Sequence, residues 1–109
     1  MASPSQAVFS YEVVTSGDDT TVVKCHGRVV SDTAGELKQL VKPMILECRH
    51  IVVDLSDVPF VDSSGLGVLV GLKVSAGSAS FCKLEFVNFT ALVRELLHTT
   101  KLSQFLGAI

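Results

Sequence analysis

Hydrophobic and polar positions along this chain follow two different periods, and the places where the period changes mark out its elements. Residues Val8 to Thr15 are rich in Val, Phe and Tyr and predict a strand. The cluster Ser16-Gly17-Asp18-Asp19-Thr20 carries turn chemistry, and Thr21 to His26 predicts a second strand, so the two form an antiparallel hairpin. Gly27 then ends the strand and frees the backbone to change direction. From Thr33 the period becomes helical. Ala34, Leu37, Leu40, Val41, Met44 and Ile45 recur on one face, and Thr33 and Glu36 have the spacing of a capping box. Pro43 lies inside this pattern and predicts a kink or an irregular second half.

The run His50-Ile51-Val52-Val53-Asp54-Leu55 is nearly continuous in apolar residues, the pattern of a parallel strand buried on both faces. A loop, Ser56 to Val61, follows. Asp62-Ser63-Ser64-Gly65 then opens a second helix reaching about Ser75 or Ala76, which Gly77-Ser78-Ala79-Ser80 closes. Lys83 to Val87 predicts a further strand. Thr90 starts a helix through Leu97, with Leu102, Phe105 and Leu106 left to seal one end of the core. Strands joined through helices pair in parallel by right-handed crossovers. The expected fold class is therefore α/β: a mixed four-stranded sheet, an antiparallel opening hairpin followed by parallel crossovers, with helices packed on one face. Residues 1–7 read as a tail and 8–109 as a single domain.

Composition narrows the function classes. With 48% hydrophobic residues, no Trp and one Tyr, the core is mostly aliphatic. A formal net charge of −2 gives no electrostatic reason to expect nucleic acid or an anionic membrane as partner. Cys25, Cys48 and Cys82 are odd in number and lack CxxC spacing, which predicts buried free thiols of a reducing compartment and no structural zinc. No run approaches the roughly 20 apolar residues of a membrane span. Met1 to Gln6 lacks the basic and apolar regions of a signal peptide, so a soluble cytoplasmic protein is expected. His26, His50 and His98 have no motif context and no GxSxG elbow accompanies them, so strand-edge and helix-end roles outweigh a hydrolase triad. Asp54, Asp57 and Asp62 gather near one strand end, where loop solvation and capping explain them as well as a cation site does. A binding module is expected, with no catalytic residues, metal or cofactor.

One segment departs from ordinary α/β construction: Phe60-Val61-Asp62-Ser63-Ser64-Gly65-Leu66-Gly67. A helix start exposes unpaired N–H groups and the positive end of the dipole, so a phosphate on a serine there is well tolerated. Asp-Ser-Ser-Gly is also a good N-cap sequence, and by local chemistry alone capping is the commoner role. The phosphate-loop signatures GxxxxGK[ST] and GxGxxG are absent.

The run from Ile51 to Leu69, a "VVDLS" strand followed by "FVDSSGLGVL", resembles the signature of STAS domains that act as bacterial anti-sigma-factor antagonists. The resemblance extends with less force from Gly27 to Phe105. It implies Ser63 as phosphoacceptor; Asp62, Ser64, Gly65, Asp57 and Asp32 are candidates for supporting that site or touching the partner. Only the resemblance selects Ser63 over Ser64. It also implies the partners: an anti-sigma factor that is an ATP-using serine kinase, bound by the unphosphorylated antagonist, and a serine phosphatase that resets the switch. A monomer or weak dimer is expected. The alternative the family offers is a cytoplasmic structural subunit of a lipid or anion transporter complex. The chain departs from the family pattern at Gly27-Arg28-Val29-Val30, with Asp32 beyond, where a Gly-Glu-Leu-Asp-like corner is frequent. It departs again at Asn88-Phe89-Thr90, which lacks a frequent proline, and at Lys101, where Gly is common.

Overall fold

The computed structural model describes residues 9–16, 19–79 and 81–107. The expected tail, Val8, the tip of the first turn and Ser80 lie outside them. The elements follow the expected order: β1 (Phe9–Thr15), β2 (Thr20–Gly27), α1 (Ala34–Ile45), β3 (His50–Asp57), α2 (Ser63–Ser78), β4 (Lys83–Val87), α3 (Ala91–Thr99) and a short α4 (Ser103–Leu106). The strands lie in the order β1-β2-β3-β4. The first pair is antiparallel and the other two are parallel.

Register explains which residues form the core. Val13, Val23, Val53 and Phe86 align across the sheet on the helix side. Val23 and Val53 are completely buried there beneath Leu37 and Val41 of α1 and Leu69 and Leu72 of α2. The adjacent row, Val14, Val22, Val52 and Glu85, lies on the other face. Along β3 burial alternates, with Ile51, Val53 and Leu55 fully buried and Val52 and Asp54 only half-buried. β3 is therefore covered on one face, not two. A continuous apolar run does not reveal which of its faces the helices reach.

Several local expectations change for physical reasons. Thr33 occupies the N-cap of α1 but forms no capping box. Its buried hydroxyl instead donates to the Arg28 carbonyl at 2.7 Å and accepts from the Val30 N–H at 2.9 Å, tying the preceding corner. Pro43 sits in the last turn, where Leu46 N–H reaches the Pro43 carbonyl at 3.2 Å and tightens the helix end. The helix runs on to Ile45. Gly27 has φ of 99°, the left-handed turn that carries the chain off the strand.

Cys25 is buried in the core, and burial, followed by the nearby Asp54 carboxylate, pushes its thiol up to about 12. Cys48 and Cys82 are only half-buried, so burial of the thiols holds for one of three. At one sheet edge Lys73 of α2 donates its Nζ to the Leu84 carbonyl at 2.7 Å, covering part of β4. Among the described residues no helix is long and apolar enough to cross a membrane.

Candidate functional site

The turn into α2 is held by two long-range attachments. Val29, fully buried, pairs with Val61 as an isolated parallel bridge. Its N–H donates to the Phe60 carbonyl at 3.1 Å, and its carbonyl accepts from the Asp62 N–H at 3.3 Å. From the other side, the Thr90 hydroxyl donates to the Val58 carbonyl at 2.9 Å. Residues 58–62 are thereby fixed between the corner after β2 and the start of α3.

Asp62 is the N-cap of α2, with extended backbone. Its Oδ1 accepts from the Gly65 N–H at 2.9 Å, and its Oδ2 accepts from the Ser31 N–H at 3.0 Å. One carboxylate thus caps the helix and staples the 28–32 corner to it. Gly65 is buried where this corner crosses the helix: a Cβ there would stand 2.1 Å from the Val29 oxygen and 2.6 Å from Val61 Cγ1. Only glycine fits.

Ser63 and Ser64 follow as the first two helical residues, both exposed. Neither hydroxyl has a hydrogen-bond partner among the described residues. Their backbone N–H groups fall in the first turn, which has no intrahelical acceptor to offer them. The two serines differ in surroundings. Ser64 lines a groove of about 440 Å³ between α1 and α2, with Lys38, Lys42, Gly67 and Gly71. Ser63 lies on the turn itself, three residues from the exposed ring of Phe60. Phe60, Leu92 and Leu96 line an apolar cleft of about 200 Å³ between the turn and α3. The Ser63 turn therefore emerges between a basic groove and an apolar one.

The other candidates divide. Asp32 is exposed on the 28–33 corner, next to the Ser31 N–H that Asp62 accepts, and so belongs to this surface. Asp57 is held elsewhere: its Oδ2 is 2.7 Å from Nδ1 of His26, whose Nε2 is 3.6 Å from Glu12. This group spans β1, β2 and β3. The hydrogen bond to Asp57 raises the His26 pKa above its ordinary value, helped by Glu12 against a smaller opposing effect of desolvation.

Asp54 faces different partners again. Burial pushes its carboxyl up, but hydrogen bonds from Ser56 and Asn88 and the charge of Lys24 outweigh that and hold it below the usual carboxylate range. His50 bonds Thr20 Oγ1 at 3.2 Å and Glu85 through its other nitrogen, a bond that lowers the Glu85 pKa. Among the described residues no three His, Cys, Asp or Glu side chains converge as metal ligands would. His98 lies in the last turn of α3, as its place at a helix end predicts.

Sequence reasoning found Asp62, the two serines and Gly65 but missed Val29, Ser31 and Thr90, which position them. The partners of Ser31 and Thr90 lie 31 and 32 residues away in the chain, beyond any local pattern.

A family model described as "Mlab, STAS domain" matches residues 13–107. Among solved structures, the chain is similar to a putative anti-sigma factor antagonist from Thermotoga maritima. That match has a TM-score of 0.74 and 28% identity over 88% of this chain and 80% of the other. It is similar in fold to the Bacillus cell fate determinant SpoIIAA in its phosphorylated form, with a TM-score of 0.67 and 15% identity over 87% and 86% of the two chains. It also matches part of the murine anion transporter Slc26a9, with a TM-score of 0.69 and 14% identity over 89% of this chain and 19% of that one.

Proposed function

The chain belongs to the STAS domain family, and on that premise we propose that it is an anti-sigma-factor antagonist whose partner binding is ended by phosphorylation of Ser63. The unphosphorylated protein binds an anti-sigma serine kinase through the surface around the α2 turn and performs no chemistry itself. The kinase transfers phosphate to Ser63, the complex dissociates, and a serine phosphatase restores the free hydroxyl. The observation that carries this reading is the division of labour at the turn. Asp62 and Gly65 are committed to holding it, whereas the adjacent Ser63 hydroxyl is exposed and unengaged.

A phosphate on Ser63 adds roughly 1.5 to 2 negative charges next to first-turn N–H groups that can bind it. The fold has no contact to lose at that hydroxyl. A partner seated on the turn does. Phe60 and Leu92 offer it an apolar anchor at the loop that leads into Ser63, and desolvating a new dianion against a fitted surface costs about 4 kcal/mol, roughly a thousandfold in affinity.

The test is partner capture from native lysate with and without ATP, using wild type and Ser63→Ala as baits and mass spectrometry as readout. A kinase held by both, and released by ATP from wild type alone with phosphate on Ser63, supports the switch. Transporter subunits held equally by both baits, with Ser63 unmodified, overturn it. That outcome is the second reading, a structural subunit of a transporter complex, favoured by the likeness to part of an anion transporter.

A further inference from the structure

Strand β1 forms one edge of the sheet, and the ladder shows which of its backbone groups face outward. The Ser16 N–H donates to the Thr20 carbonyl at 2.8 Å, and Thr15 aligns with Thr21. Hydrogen-bonded and non-bonded pairs alternate along an antiparallel ladder. Glu12 and Val14 therefore bond to β2, while Tyr11, Val13 and Thr15 turn their N–H and C=O groups away from it. Every residue from Ser10 to Thr15 is exposed, Tyr11 at 46%, Val13 at 42% and Val14 at 52%. Tyr11 and Val13 align with Cys25 and Val23, which the helices bury, yet are themselves left uncovered.

Sheet edges are ordinarily blunted by a lysine, a proline, a bulge or a covering element. Among the described residues, Ser10 to Thr15 have none of these. The strand pairs with β2 residue for residue, and its sequence Phe-Ser-Tyr-Glu-Val-Val-Thr holds neither lysine nor proline. Its one charge, Glu12, lies 3.6 Å from Nε2 of His26 on β2 and is drawn inward, away from the edge. At the opposite edge, by contrast, Lys73 reaches the Leu84 carbonyl. Outward amides flanked by exposed apolar side chains fit one kind of occupant, a further extended strand.

We propose that this occupant is β1 of a second copy, paired antiparallel about a two-fold axis at Val13. Val13 then faces its own copy, and Tyr11 faces Thr15 of the other chain. All three carry outward backbone groups, so each regains a donor and an acceptor. Glu12 faces Val14 of the other chain. An axis at Glu12 would set two carboxylates directly opposite, which is destabilising. An axis at Tyr11 or at Val14 would leave Val14 or Tyr11, respectively, outside the paired strands. The Val13 axis alone avoids the carboxylate clash and buries Tyr11, Val13 and Val14 of both chains in one self-complementary contact. Five residues per chain fall short of the about 800 Å² per partner of a stable interface, so the dimer is weak, with Kd on the order of 100 μM. β2 separates β1 from β3, which leads into the Ser63 turn, so the pairing does not involve that turn.

Sedimentation equilibrium of the full chain between about 5 μM and about 1 mM tests this, with wild type passing from monomer to dimer across that range. Val13→Lys sets two ammonium groups opposite one another at the axis and should weaken the dimer at least about tenfold. Val14→Lys, one position along, instead faces Glu12 of the other chain and should dimerise at least as well as wild type. Both sites are exposed, so circular dichroism should show native melting for each. A wild type that stays monomeric throughout overturns the proposal. So does a Val13→Lys chain that dimerises like wild type, or a Val14→Lys chain weakened as much as Val13→Lys.

Discussion

Two glycines of α2, two residues apart, should respond oppositely to the same substitution. At Gly65 an added Cβ would meet the Val29 oxygen at 2.1 Å, whereas ordinary contact begins near 3.4 Å. The Val29 carbonyl cannot retreat freely, because it accepts the Asp62 N–H and its residue bridges Val61. Gly65→Ala therefore combines overpacking, about 1–3 kcal/mol, with the weakening of one buried hydrogen bond, about 1 kcal/mol. A total of about 2–4 kcal/mol should lower the melting temperature by roughly 10–20 °C in a domain of this size. At Gly67 nothing lies within 4 Å of the new methyl group. Gly67→Ala only exchanges glycine for the best helix former and should stabilise by about 0.5–1 kcal/mol, a gain of a few degrees. Thermal and urea unfolding followed by circular dichroism separate the two. A Gly65→Ala protein within about 0.5 kcal/mol of wild type, or shifts of the same sign at both positions, would refute the packing argument.

Further outcomes follow from the same contacts. Asp62→Ala should cost about 1–2 kcal/mol in urea unfolding, because the cap and the Ser31 tether are lost together, while Asp62→Asn keeps one acceptor and should lose less. The His26 pKa is raised in the folded protein, so its pairing with Asp57 stabilises most below the unfolded value near 6.5 and fades as pH rises through the folded value. The stability difference between wild type and Asp57→Asn should accordingly be larger at pH 6 than at pH 8, and a pH-independent difference would contradict it. Lys73→Ala uncovers the Leu84 carbonyl on the β4 edge and should lose about 1 kcal/mol and increase self-association, measured by light scattering. Under native conditions a thiol reagent should modify Cys48 and Cys82 well before Cys25, which is buried and holds its proton up to about 12.

The periodicities of this chain were enough to set out its architecture. The Val-, Phe- and Tyr-rich run at Val8 to Thr15, helical spacing from Ala34 to Ile45 and the apolar run at Ile51 to Leu55 each encode a local preference, and local preferences are written in contiguous residues. The candidate site was legible for the same reason, since Asp62, Ser63, Ser64 and Gly65 form one helix start. What lay beyond the sequence is what depends on two distant segments meeting. That β3 has one open face follows from where α1 and α2 land. That the Asp57 carboxylate pairs with His26, 31 positions earlier, follows from competition among partners that only folding brings within reach. The two serines look equivalent in sequence, and the structure separates them: Ser64 lines the groove of Lys38 and Lys42, and Ser63 does not. Gly65 shows the division most plainly. Its place in the motif is visible in the sequence, but its necessity comes from the Val29 carbonyl, 36 positions earlier, resting where a side chain would be.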